Sequence, residues 1–148
     1  MSLQEKLGQE IKAAMLARDA DRLSALRMLK SAIGYVQIER KVESLSDADF
    51  IGMVQKEVKK RRDSMEQFEK GGRPELAAKE KQEIVVLESF LPEPLSAEDL
   101  EKLVRDAITE TGATSKKEMG AVIKVVQTRA AGRAEGKAIS QLVGKLLP

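Results

Sequence analysis

Lys117, Lys124, Arg129, Arg133 and Lys137 are the residues of this 148-residue chain whose type and placement offer the clearest chemistry. Ammonium and guanidinium groups bind phosphate, and from Ser115 to Pro148 seven Lys or Arg stand against only two acids, Glu118 and Glu135, a net +5. The whole chain carries +2, so the residues before Ser115 sum to −3. Positive charge gathered at one end favours a polyanionic partner. Within that end, Gly132-Arg-Ala-Glu-Gly136-Lys137 admits two interpretations. In one, Gly132 caps a helix, Gly136 allows close packing, and Arg133 and Lys137 are only solvated. In the other, the N–H groups that open the next helix bind a phosphate, helped by both cations and opposed by Glu135. The turn is not a nucleotide P-loop. Gly132 to Gly136 is one residue short, Ala138 stands where Ser or Thr is needed, and no strand precedes it.

The missing residue types narrow the chemistry further. There is no cysteine, hence no disulfide, no thiolate nucleophile and no zinc site of the usual kind. There is no histidine, the commonest general base near neutral pH and the commonest transition-metal ligand. Asp47-Ala-Asp49-Phe-Ile-Gly opens like a calcium loop, but positions five and twelve would be Ile51 and Val58, and neither can be a ligand. No metal and no cofactor is expected. The longest aliphatic run, Ile84–Leu87, is far too short to span a bilayer, and the N-terminus lacks the apolar centre of a signal peptide. These features predict a cytoplasmic protein without a membrane partner.

The elements that must position the cations are helical. Charged residues make up 34% and hydrophobic ones 42%, with helical periodicity throughout, so the chain is expected to be folded and all-α. Only Tyr35, Phe50, Phe68 and Phe90 are aromatic, which predicts an aliphatic core. Leu3, Leu7, Ile11, Ala14 and Met15 mark a first helix over roughly Leu3–Ala17. Asp19 or Asp21 caps a second, with the stripe Leu23, Leu26, Leu29, Ile33 and Val36. Gly34 within that stripe predicts close helix packing, and Lys41–Leu45 reads as a polar connection. Ser46 opens a third helix, about Ala48–Lys70, burying Ile51, Val54, Val58, Met65 and Phe68. Gly71-Gly72 ends it, and Pro74 starts a fourth with the seam Leu76, Ile84, Leu87 and Leu91. The expectation is an antiparallel four-helix subdomain over residues 1–91.

Leu91-Pro-Glu-Pro-Leu95 is the best boundary in the chain, because two prolines in three residues cannot continue a helix. A linker over 92–94 then leads to a C-terminal three-helix subdomain over 95–148. Its fifth helix, opened by Ser96 and closed by Gly112, presents Leu100, Leu103, Val104, Ala107 and Ile108. Ser115 and Glu118 form a capping box for the sixth helix, whose inward face is Met119, Val122, Ile123 and Val126. Lys117, Lys124 and Thr128 fall on its opposite side. The seventh helix turns Ile139, Leu142, Val143 and Leu146 inward.

A second basic run, Lys59-Lys60-Arg61-Arg62, lies in the third helix. Glu57–Arg61, Lys59–Asp63, Arg62–Glu66 and Glu66–Lys70 are i,i+4 pairs, which favours a solvated face. Lys56 and Lys60 lack an acid at that spacing and form a secondary candidate surface.

Lys56–Ser96, together with Met119-Gly-Ala-Val-Ile-Lys124 and Gly132–Val143, closely resembles the YqeY family of small bacterial proteins over nearly the whole chain. The long middle block ending in Phe90-Leu-Pro is the specific part of the likeness. The family is similar to the tail of the B subunit of the tRNA-dependent amidotransferase and to modules appended to some glutaminyl-tRNA synthetases. The resemblance implies two helical subdomains, a role in holding tRNA, and a synthetase or amidotransferase subunit as a further partner. It also brings the label of a carbon–nitrogen ligase with glutamine as amide donor. Two positions depart from the family: Pro94 replaces an expected glutamine and stiffens the linker, and Gln127-Thr128 lacks a frequent proline, which straightens the sixth helix.

The residues themselves do not supply that ligase activity. Amide transfer needs an activated nucleophile, and activation of the tRNA-bound acid needs ATP and metal; nothing in this chain matches those parts. The leading expectation is a non-catalytic module that binds or delivers tRNA. A protein-interaction adaptor and a component of a glutamine-dependent ligase are the alternatives.

Overall fold

Ser2, Asp19, Ser46 and Ser96 each accept a hydrogen bond from the backbone N–H three residues on, at 3.1, 3.1, 3.2 and 3.1 Å. Each cap satisfies a donor that the first turn of a helix leaves without an intrahelical partner. Four helices begin at them in the computed structural model, which describes residues 1–148. The helices are α1 (Leu3–Ala17), α2 (Ala20–Arg40), α3 (Asp47–Lys70), α4 (Pro74–Glu88), α5 (Ala97–Thr111), α6 (Met119–Ala130) and α7 (Gly136–Leu146). A short 3₁₀ turn, Lys116–Glu118, precedes α6, and there is no strand. The fold is all-α, with no helix long and apolar enough to cross a membrane.

The chain divides into two compact units, Met1–Leu91 and Pro92–Pro148. In the first, Leu7, Leu26, Leu29, Ile33, Val54, Val58, Ile84 and Leu87 pack around Phe50 and Phe90. The two rings stand 5.7 Å apart, centroid to centroid, and Lys6 Nζ lies 5.4 Å from the centre of the Phe90 ring. This core is therefore not purely aliphatic, contrary to the compositional expectation. Two of the four aromatic residues are buried in it. The buried face of α3 runs Phe50, Val54, Val58 and Arg61, while Ile51, Met65 and Phe68 are only half-buried.

Three further expectations change in this unit. Leu45 is buried, and its N–H donates to the Gln4 side chain at 2.8 Å, so the α2–α3 connection contributes to the core. Met15 is exposed rather than part of the α1 seam. Gly34 makes no close packing: a Cβ placed there would meet nothing within 4 Å.

Arg61 is the one buried charged residue, 7% exposed. Its Nη1 meets Glu57 at 2.8 Å and its Nε meets Glu83 of α4 at 3.0 Å. The i,i+4 pair with Glu57 is present, yet Arg61 lies inside the unit instead of on a solvated face.

The second unit has its own core, Val104, Ala107, Val122, Val126, Ala130, Ile139, Val143 and Leu147. No aromatic residue occurs after Phe90, so this core is aliphatic throughout. Leu100, Leu103, Ile108, Met119, Ile123, Leu142 and Leu146 close its edge, half-buried.

Candidate nucleic-acid interface

The cations are carried by α6, α7 and the turns before each. Val122, Val126 and Ala130 recur every four residues and turn one side of α6 into the core. Ile139 and Val143 do the same for α7. Lys117, Lys124, Arg129, Arg133 and Lys137 are all exposed.

Their surroundings differ. Lys124 and Lys137 stand outside the ion pairs of the structure, as do Lys116, Lys117 and Lys145. Lys117 belongs to the 3₁₀ turn, so it does not continue the face of α6 that carries Lys124. Arg129 is about 140° around the helix from Lys124 at 100° per residue. It is held by Glu110 of α5 in a charge-assisted hydrogen bond from Nη2. That bond keeps the Glu110 carboxyl below the ordinary glutamate range and raises the already high pKa of Arg129. Arg133 turns towards the start of the unit, its Nε–H donating to the Glu93 carbonyl at 2.8 Å.

The charge contrast lies within this unit. Glu98, Asp99, Glu101, Asp106 and Glu110 gather along α5, while the seven cations after Ser115 lie on the turns and the two following helices. Sequence reasoning found the basic end but missed its acidic neighbour, because the two are adjacent elements of one small unit.

The capping box expected at Ser115 does not form. Ser115 gives α6 no side-chain cap, and Glu118 accepts from the Thr114 N–H at 2.5 Å, stabilising a 3₁₀ turn instead. At the other end of α6 the cap is Ala131 rather than Gly132. Ala131 is left-handed, φ 48°, and Gly132 follows at φ 86°. An alanine in that region clashes at its Cβ, so the turn carries strain that glycine would avoid. Glu135, in extended backbone, opens α7 without a side-chain cap, and a Cβ on Gly136 would meet the Gln127 side chain at an ordinary 3.6 Å. Gly136 is thus not required by close packing.

On α3, Lys56 is exposed and outside any ion pair, whereas Lys60 lies 3.5 Å from Glu57 at i,i+3 spacing, not the i,i+4 spacing of the expected pairs. Arg62 reaches Glu88 of α4 at 3.5 Å, and Lys70 pairs with Glu66 at 3.1 Å.

An uncharacterized protein of Schizosaccharomyces pombe is 35% identical over 95 residues, which cover 64% of this chain and 76% of that one. The mitochondrial protein altered inheritance of mitochondria 41 of Saccharomyces cerevisiae is 32% identical over 113 residues, 73% of this chain and 60% of that one. Its counterpart in Vanderwaltozyma polyspora is 27% identical over 120 residues, 76% and 64% of the two chains. The chain thus spans less than two thirds of the length of these two mitochondrial relatives. The mitochondrial label of these relatives does not fit the plain cytoplasmic expectation exactly. The family described as Yqey-like protein matches residues 4–147, nearly the entire sequence, and the chain belongs to that family.

Proposed function

We propose that this protein is a non-catalytic helical module that binds or delivers tRNA, in association with tRNA-dependent amidation or aminoacylation. The observation that carries this reading is the group of exposed lysines, Lys117, Lys124 and Lys137, which lack a carboxylate partner within a stretch of net +5. Such cations release the counterions condensed on a polynucleotide, which makes binding favourable and salt-dependent. With no aromatic side chain in the second unit there is no stacking surface, which favours structured RNA over single strands. Arg129 and Arg133 are the secondary contacts, since each already has a partner, and Lys56 with Lys60 forms a weaker surface on α3.

In this reading the four helices of the first unit form the carrier and the three helices of the second meet the RNA. The chain performs no amide transfer itself; glutaminase activity in the pure protein would contradict that. Its compartment is one that holds tRNA, the cytoplasm for this chain. The test is binding of total tRNA across roughly 50–200 mM salt, where three phosphate contacts give a log–log slope of about −2 to −3. A slope near zero would overturn the proposal.

A second reading, an adaptor docking a synthetase or amidotransferase subunit, is favoured by Met28, Tyr35 and Ile38. They lie exposed along α2, Tyr35 at 75% and Ile38 at 78%. A complex that survives nuclease and is lost on Tyr35→Glu would favour it.

A further inference from the structure

Pro92 and Pro94 have no N–H, so this segment can donate from its backbone only at Glu93 and Leu95. The Leu95 N–H donates to the Arg133 carbonyl at 2.8 Å. The Arg133 Nε–H donates to the Glu93 carbonyl, also at 2.8 Å. One residue of the α6–α7 turn therefore grips the segment twice, across 40 positions of sequence to Glu93 and 38 to Leu95. The turn is shaped for this grip. Ala131 and Gly132 reverse the chain through left-handed backbone, and the Arg133 N–H bonds back to the Ala130 carbonyl at 2.9 Å. The Leu95 side chain packs half-buried against the core of the same unit.

A guanidinium carries five N–H groups in a rigid plane. With Nε committed to Glu93, the edge formed by Nη1 and Nη2 is the one left to make two parallel bonds to a phosphate. We propose that Arg133 is a positioning residue that couples polyanion binding at the α6–α7 turn to the order of residues 93–95. Phosphate on the Nη edge fixes the guanidinium, and the fixed guanidinium holds the Glu93 carbonyl. The coupling rests on the tRNA-binding reading given above, whereas the clip between Arg133 and the segment stands on the two hydrogen bonds alone. Lysine would keep the charge but not the planar fork, so Arg133→Lys separates the two roles.

The test is amide hydrogen exchange at Leu95 in the full chain, with and without total tRNA. Arg133→Lys is expected to speed Leu95 exchange roughly tenfold, the effect of losing one hydrogen bond to a charged donor, with the amides of Val122 and Val126 unchanged. Lys137→Gln, which removes a cation without touching the clip, leaves Leu95 at its wild-type rate. Saturating tRNA slows Leu95 exchange several-fold in the wild type but not in Arg133→Lys, which still binds RNA. Equal Leu95 rates in wild type and Arg133→Lys would overturn the clip. An equal slowing by tRNA in both, or a faster rate on binding, would overturn the coupling. If tRNA does not bind at all, the proposed function fails and the coupling with it, while the first comparison still decides the clip.

Discussion

Arg61 and Arg129 show how one residue type takes two roles by burial. Arg61 is enclosed between Glu57 and Glu83, so removing it would leave two largely buried carboxylates without their counter-charge. Breaking a buried ion pair from one side costs about 3–5 kcal/mol, because the remaining charge is neither paired nor solvated. Arg61→Ala should lower stability by about 3 kcal/mol in urea denaturation; a loss under 1 kcal/mol would mean that water reaches the site. Arg129 holds Glu110 at the surface, and the sign of its pH effect follows from the lowered carboxyl pKa. The contact contributes above the ordinary glutamate pKa and is lost as pH falls through the lower folded value. Glu110→Gln should therefore abolish that acid-range dependence. It should also leave Arg129 available to phosphate, steepening the tRNA salt slope by up to about 0.9. An unchanged slope would place Arg129 outside the RNA contact. Neither pairing could be read from the sequence: Arg129 and Glu110 are 19 residues apart, and Arg61 and Glu83 are 22 apart. Only packing of adjacent helices brings them together.

The helices were legible because their signals are local. The caps at Asp19, Ser46 and Ser96, Pro74 at the start of α4 and Gly112 after α5 each act within one turn. The misreadings arose where local signals compete. Phe50 and Ile51 are adjacent and both apolar; the expected stripe took Ile51, whereas the structure buries Phe50 beside Phe90. Ser115 and Glu118 have the spacing of a capping box, yet Glu118 finds the Thr114 N–H instead. Gly34 suggested a tight helix crossing, but the space beside it is open. A glycine inside a helix costs about 0.8–1 kcal/mol relative to alanine, and here no contact offsets it. Gly34→Ala should raise stability by about that amount in thermal or chemical melts. A destabilisation would show that some partner occupies the space beside α2.

The two units keep separate cores, with no residue shared between them. Stability need not be uniform across such a chain. Val126→Ala, which opens a void at a fully buried site of the second unit, should cost that unit about 2 kcal/mol. Hydrogen exchange should then accelerate at Val122 and Val143 but not at Leu29 or Val54; equal acceleration in both cores would mean that the chain unfolds as one. The positive charge of the C-terminal third was plain from the sequence. What the sequence could not give was which cations are already engaged, and the structure leaves Lys117, Lys124 and Lys137, like Lys116 and Lys145, outside its ion pairs. The most direct measurement is tRNA affinity of the triple variant Lys117→Glu/Lys124→Glu/Lys137→Glu, beside a control reversing Lys12, Lys30 and Lys41 in the first unit. At about 100 mM salt the first should lose at least roughly a hundredfold in affinity with its thermal midpoint unchanged, and the control should lose far less. Equal losses in both, or no loss in the first, would contradict a tRNA-binding surface on α6 and α7.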